Sequence, residues 1–121
     1  MNTTIEKIIE KIVHIPYDLH HVDKSAYALL KESGYFDFHD HVHENQIMEI
    51  LKKKPELIQD WLQWSDDQRC SPTTYFTRGD DGWCFIGKYP EIKEFTEINT
   101  KDEFYACAVF IKLQTEQIRK L

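Results

Sequence analysis

Ile5, Ile8, Ile9, Ile12 and Val13 fall at the i, i+3, i+4, i+7, i+8 positions of a buried helical stripe. The pattern predicts a first helix capped by Thr3 or Thr4 and stopped by Pro16. Residues 15–22 (IPYDLHHV) lose the period and read as a loop. Asp23 then suits the N-cap of a short helix through Leu29 and Leu30, with Gly34 where a C-terminal glycine belongs. Tyr35-Phe36-Asp37-Phe38 reads as an aromatic connector. Helical spacing returns by about His43, with Ile47, Ile50 and Leu51 inward and Lys52-Lys53-Lys54 at the end that favours positive charge. Pro55 opens the next helix, whose apolar face is Leu57, Ile58, Trp61 and Leu62, with Trp64 at its edge.

After Asp67 the period changes from helical to alternating. Thr73–Thr77 is β-branched and aromatic, Gly79-Asp80-Asp81-Gly82 is a turn, and Trp83–Gly87 is a second strand, so the segment predicts a hairpin. Residues 89–98 (YPEIKEFTEI) read as a third, edge strand. Thr100 with Glu103 forms a capping-box pattern ahead of a long helix, nearly buried in its first half. The expected fold class is α+β in a single domain, 1–121: a helical N-terminal half, an antiparallel β-hairpin or small sheet, and a long C-terminal helix packed on it.

Composition narrows the class. Hydrophobic residues at 41% and charged residues at 30% fit a folded chain, not a disordered one. No run approaches the roughly 18 apolar residues needed to span a bilayer. The start MNTTIEKIIEKIV lacks a basic leader and an apolar core, so no signal peptide is predicted. Cys70, Cys84 and Cys107 are odd in number, far apart and without a CxxC pair, which argues against a disulfide framework and for a reducing, cytoplasmic setting.

Charge is concentrated. Residues 56–103 hold eleven acids and five bases, a balance of 5 − 11 = −6 that equals the net charge of the whole chain. Such a field repels phosphate backbones and attracts basic partners. No nucleic-acid partner, membrane or cofactor is expected.

The stretch FDFHDHVHE (36–44) is the densest in chemistry. His39 and His43 would sit one turn apart if helical and could chelate a metal with a third ligand such as His20, His21 or Asp40. If extended, His39, His41 and His43 would share a face about 7 Å apart, too far to converge without a bend. The HExxH metalloprotease pattern fails because Ile47 stands where the second histidine is required. The chain has no H-x-E followed by P-C-x-x-C, no phosphate-binding glycine loop and no nucleophile elbow. A two-histidine acid–base enzyme built on His41 and His43 with Arg69 or Lys54 is the alternative to a binding protein. The plain reading is a solvated helix start capped by Asp37 or Asp40.

Aromatic residues with arginines among acids compose interface hot spots. Trp61, Trp64, Tyr75, Phe76, Trp83 and Tyr89 lie in or near the acidic segment, with Arg69 and Arg78 between them. Trp64, Asp66, Asp67, Asp80, Asp81 and Trp83 are the predicted contact residues.

The stretches WLQWSDDQRCSPTTYFTRGDDGWCFIGKYP (61–90) and ACAVFIKLQTEQI (106–118) resemble small bacterial immunity proteins of polymorphic and contact-dependent toxin systems. The resemblance covers about a third of the chain and carries no catalytic residue. It implies a non-enzymatic cytosolic protein that neutralises a cognate toxin, many such toxins being basic nucleases.

Overall fold

Residues 103–119 form a helix with almost no polar face in its first half, and the other elements arrange themselves around it. A computed structural model describes residues 3–19, 21–67, 74–88 and 98–120, apart from the side chains of Thr3, Asp66, Asp67 and Lys88. The elements in order are α1 (Thr3–Val13), α2 (Ile15–Leu19), α3 (Ala26–Ser33), α4 (Tyr35–Phe38), a 3-10 turn (His39–His41), α5 (Glu44–Lys53), α6 (Leu57–Asp67), β1 (Thr74–Arg78), β2 (Cys84–Lys88), β3 (Ile98–Thr100) and α7 (Glu103–Arg119). The strands make one antiparallel sheet in the order β1-β2-β3. Thr77 pairs with Phe85, which pairs in turn with Asn99. The fold is α+β, with α7 packed on all three strands as well as on α1, α3, α5 and α6.

The stripe read in α1 is the one the fold buries: Ile5, Ile8, Ile9, Ile12 and Val13 all face the interior. Ile47, Ile50 and Leu51 from α5 and Leu57, Ile58 and Trp61 from α6 join it. Phe76 and Ile86 project inward from neighbouring strands and are themselves paired across the ladder. Against them lies α7, where Ala106 to Ile111 are all buried. A helix apolar on every side belongs inside, and two alanines there keep the neighbouring elements close. Trp61 is fully buried, and its indole N–H donates to the Val13 carbonyl at 3.0 Å. That bond satisfies one of the orphan carbonyls at the end of α1.

Several boundaries differ from the sequence expectation, each for a local reason. Residues 15–19 form a short helix instead of a loop, because Pro16 occupies its first turn, where a missing N–H costs nothing. The main helix therefore ends at Val13, before the proline. Ser25, not Asp23, caps α3, its Oγ accepting from Ala28 N at 3.1 Å. The aromatic connector at Tyr35–Phe38 is one turn of helix. Neither Asp37 nor Asp40 caps α5; His43 is the N-cap, and its backbone N–H donates to Gln46 Oε1 at 2.7 Å. Pro55 sits in the turn two residues before α6. β2 begins at Cys84, leaving Trp83 in the turn.

Thr100 does not cap α7, because it is spent as the last residue of β3, opposite Cys84. Asp102 takes the role, accepting from Phe104 N and Tyr105 N at 3.1 Å each. Residue 73 of the first predicted strand and residues 89–97 of the third lie outside the described residues; β3 starts where the predicted edge strand ends.

Gly34 carries φ +92° and closes α3 while its neighbour opens α4. A Cβ there would adopt a left-handed conformation and press on Ile8 at 3.4 Å. Gly34→Ala is therefore expected to destabilise the fold by about 1–2 kcal/mol. Gly82→Ala, also at positive φ but facing open space, should cost no more than that. Urea unfolding followed by tryptophan fluorescence measures both, and an unchanged midpoint for Gly34→Ala would contradict this role.

Candidate partner-binding surface

The hairpin end is built by the turn Gly79–Gly82. Gly79 N donates to the Trp83 carbonyl at 2.9 Å, and Gly82, at φ +87°, brings the chain back. Asp81 Oδ1 accepts from Trp83 N at 3.1 Å, so this exposed carboxylate fixes the turn. Asp80 is exposed and makes no hydrogen bond or ion pair with a described residue. Trp83 is 38% exposed, and the Lys101 ammonium lies 5.3 Å from its ring centroid. That cation–π contact orients the indole without burying it.

Arg78 clamps this end to the body. Its guanidinium donates to Glu103 Oε2 at 2.9 Å and to Gln59 Oε1 at 3.3 Å, joining β1 to the starts of α7 and α6. Across 78–83 and 101–103 four carboxylates stand against two cations. The end is thus rigid, acidic and topped by an aromatic ring. Tyr105, 37% exposed on the first turn of α7, stands at the same end of that helix. The expectation of a nearly buried first half passed over it. Its spacing of seven from Lys112 and of fourteen from Arg119 is the signal that marks it as part of the polar stripe of α7.

The six predicted contact residues do not form one patch. Gln59 meets Arg78 at the hairpin end, whereas Ser65 Oγ accepts from Phe76 N at 2.8 Å. Helix α6 therefore runs away from the hairpin tip. Asp66 and Asp67, whose backbone closes α6, fall beyond Phe76, which lies two residues inside β1 from its hairpin end at Arg78. Trp64 is half-buried; its indole N–H donates to Gln114 Oε1 at 3.0 Å, and its ring lies 5.4 Å from Trp61. It extends the core. Asp80, Asp81 and Trp83 remain together.

The histidines do not converge. His39 and His41 lie in the 3-10 turn, but Val42 is extended and fully buried. Burying Val42 breaks the helix between His39 and His43, so the one-turn HxxxH spacing does not arise. His41 points to Asp40 at 3.7 Å, and His21 stacks on Tyr17 with its Nδ1 2.8 Å from the Tyr17 carbonyl. His20, Arg69 and Cys70 lie outside the described residues. Among those described, no three His, Cys, Asp or Glu side chains are placed to hold a metal. Burial pushes both the Cys84 and the Cys107 thiols above the ordinary cysteine range, which disfavours the reactive thiolate.

Sequence reasoning missed a second charged cluster, on the second half of α7. Tyr35 is fully buried, and its hydroxyl donates to Glu116 Oε2 at 2.5 Å. Lys112 Nζ donates to Tyr35 Oη at 2.9 Å and to the His39 carbonyl at 2.5 Å. Arg119 grips both Glu116 oxygens at 3.0 Å, and His39 Nδ1 stands 4.0 Å from the same carboxylate. Burial and the Glu116 bond raise the Tyr35 hydroxyl well above the tyrosine range. Arg119 and Tyr35 together hold the Glu116 carboxyl down at about 2 against the upward push of burial. The hydroxyl, the ammonium and the guanidinium each find an acceptor, which makes the cluster a fastening between α4 and α7.

Comparison with family models, curated proteins and solved structures finds no match to this chain. The functional argument therefore rests on the chain's own surface. Among the described residues no helix is long and apolar enough to cross a membrane.

Glu116 makes a testable contribution to acid stability. Its folded pKa lies below the ordinary 4.5, so its stabilisation is complete above about pH 5 and lost as pH falls toward 2. Glu116→Gln should cost about 2 kcal/mol at pH 6, and the gap from the parent should shrink steadily between pH 5 and pH 2. Urea titrations at pH 6, 4 and 2.5 read the gap; a constant difference would mean the carboxylate is not held by these partners.

Proposed function

We propose that the chain is a non-enzymatic protein-binding domain whose hairpin end recognises a basic protein surface. The observation that carries this is the conjunction at one rigid turn of an exposed Trp83 with the exposed carboxylates of Asp80 and Asp81. An aromatic ring already oriented loses little freedom on binding, and such rings dominate interface energetics. Exposed acids around it steer a cationic partner during encounter and screen out nucleic acid. A cytoplasmic immunity protein that neutralises a basic nuclease toxin is the biological role that best fits the acidic, aromatic surface together with the sequence resemblance. Blocking the toxin's substrate groove with carboxylates would mimic the phosphates that the groove is built to hold.

The test is binding to the toxin domain encoded beside this gene, measured as association and dissociation rates at two salt concentrations. Asp80→Lys with Asp81→Lys should slow association by about tenfold at low salt and much less at high salt. Trp83→Ala should leave association nearly unchanged and speed dissociation by about tenfold or more. The reversal Asp66→Lys with Asp67→Lys, at the far end of α6, should have the smaller effect on association. If the hairpin reversal leaves both the rate and its salt dependence unchanged, the hairpin end is not the contact surface.

A further inference from the structure

The register of the sheet sets Lys101 against Trp83. Cys84 pairs with Thr100, so the next residues outward, Trp83 and Lys101, stand across from each other where the ladder ends. The exposed lysine places its ammonium 5.3 Å from the indole centroid. It makes no hydrogen bond or ion pair with a described residue. The two acids that follow it in the chain are spent elsewhere. Asp102 caps α7, and Glu103 accepts from Arg78. The ring is thus the described partner of this lysine. In the free protein the exposed indole already carries a cation, and the cation is the chain's own.

We propose that the partner presents an arginine, which takes the Trp83 ring from Lys101. The proposal rests on the reading of the hairpin end as a surface for a basic protein, and it names the group that surface selects. An ammonium is a compact, strongly hydrated charge, and its hold on an exposed ring is weak. A guanidinium is flat and less hydrated. It stacks on an indole and still has an N–H fork free for a carboxylate. Asp80 has no bond to a described residue, and Asp81 lies beside the ring, its Oδ1 3.1 Å from Trp83 N. Lys101 reaches the ring and neither aspartate, whereas a stacked guanidinium reaches both kinds of group at once. Two cations on one indole repel each other. Lys101 is therefore an internal competitor, and the entrant that best displaces it is the one that also gains a carboxylate. Selectivity of this kind comes from a built-in opposing contact as well as from attraction. The neighbouring Arg78 does not compete, because Glu103 and Gln59 hold it.

The experiment titrates the full chain at pH 7 and constant low ionic strength with tetra-arginine amide and tetralysine amide. Backbone amides and the Trp83 indole N–H are followed by NMR. Tetra-arginine should move residues 79–83 and the Trp83 indole, and it should bind about threefold tighter than tetralysine. Lys101→Gln should tighten tetra-arginine by about fivefold, through the freed ring and the lost positive charge together. In a Trp83→Leu background the same change should tighten it by about twofold, the part due to charge alone. Trp83→Leu should also remove the preference for arginine over lysine. Hairpin shifts with an equal effect of Lys101→Gln in both backgrounds, or with lysine bound as tightly as arginine, would overturn this proposal and leave the hairpin surface standing. No shift at residues 79–83 would overturn both.

Discussion

The structure depends on burying the first half of α7 on every side. Ala106 through Ile111 have no outward face, so the helix must be enclosed by sheet on one flank and by α3, α5 and α6 on others. Phe110 shows how it is held: its ring meets Phe76 of β1 at 5.5 Å and Trp61 of α6 at 6.2 Å, edge-on to the indole. Three aromatic rings from three elements thereby fix the angle between sheet and helices. Such pairs add to the apolar burial they already provide. Enclosure has a consequence for the helix's second half, because polar residues that follow a buried run are carried partly inside with it. Gln114 and Thr115 are buried, and each has a partner: Trp64 and Thr74 for the first, the Lys112 carbonyl for the second. No described buried side-chain nitrogen or oxygen lacks one.

The same constraint explains why charge is used in two different ways. On the second half of α7, the half-buried Glu116, Lys112 and Arg119 gather around the buried Tyr35, where an unpaired charge is less well solvated than in open water. They are therefore fully interlinked, and they fasten α4 to α7 across 81 residues of sequence. At the hairpin end the acids are in water, where leaving them unpaired costs little. In the turn itself Asp80 has no bond to a described residue, and the bond of Asp81 shapes the turn. Interior charge serves the fold and tip charge is available to a partner, and burial separates the two sets.

Helices with a one-sided stripe were readable, because α1, α5 and α6 bury the positions that their spacing selects, apart from the half-buried Leu62 of α6. The hairpin and the long final helix followed from a change of period and a cap. What composition could not reveal was which of several neighbouring cap formers would win. Ser25, directly before α3, displaced Asp23, and Asp102 displaced Thr100, which β3 had already claimed. The candidate surface was readable only in part. Asp80, Asp81 and Trp83 are adjacent in sequence and stay so in space, whereas grouping them with Asp66 and Asp67 required the direction of α6 against β1. That direction is set by Ser65 meeting Phe76 and Gln59 meeting Arg78, two contacts that no local pattern encodes. The Tyr35–Glu116 link was invisible for the same reason.

Rigidity decides how the exposed end can work. A long loop bearing the same residues would lose its conformational freedom on binding, and that loss would subtract from affinity. Here the turn has internal bonds at Gly79 and Asp81, the indole has Lys101 against its face, and Arg78 ties the strand to two helices. The lysine matters for sign as well as for geometry. It neutralises part of the local acid field next to the ring, so the negative potential is strongest on the side of Asp80 and Asp81. On the proposed reading a cationic partner would be drawn first to the two aspartates, with the ring adjacent to the point of contact. Attraction and anchoring would then fall to different residues of one four-residue span, charge governing the rate of encounter and the indole the lifetime of the complex.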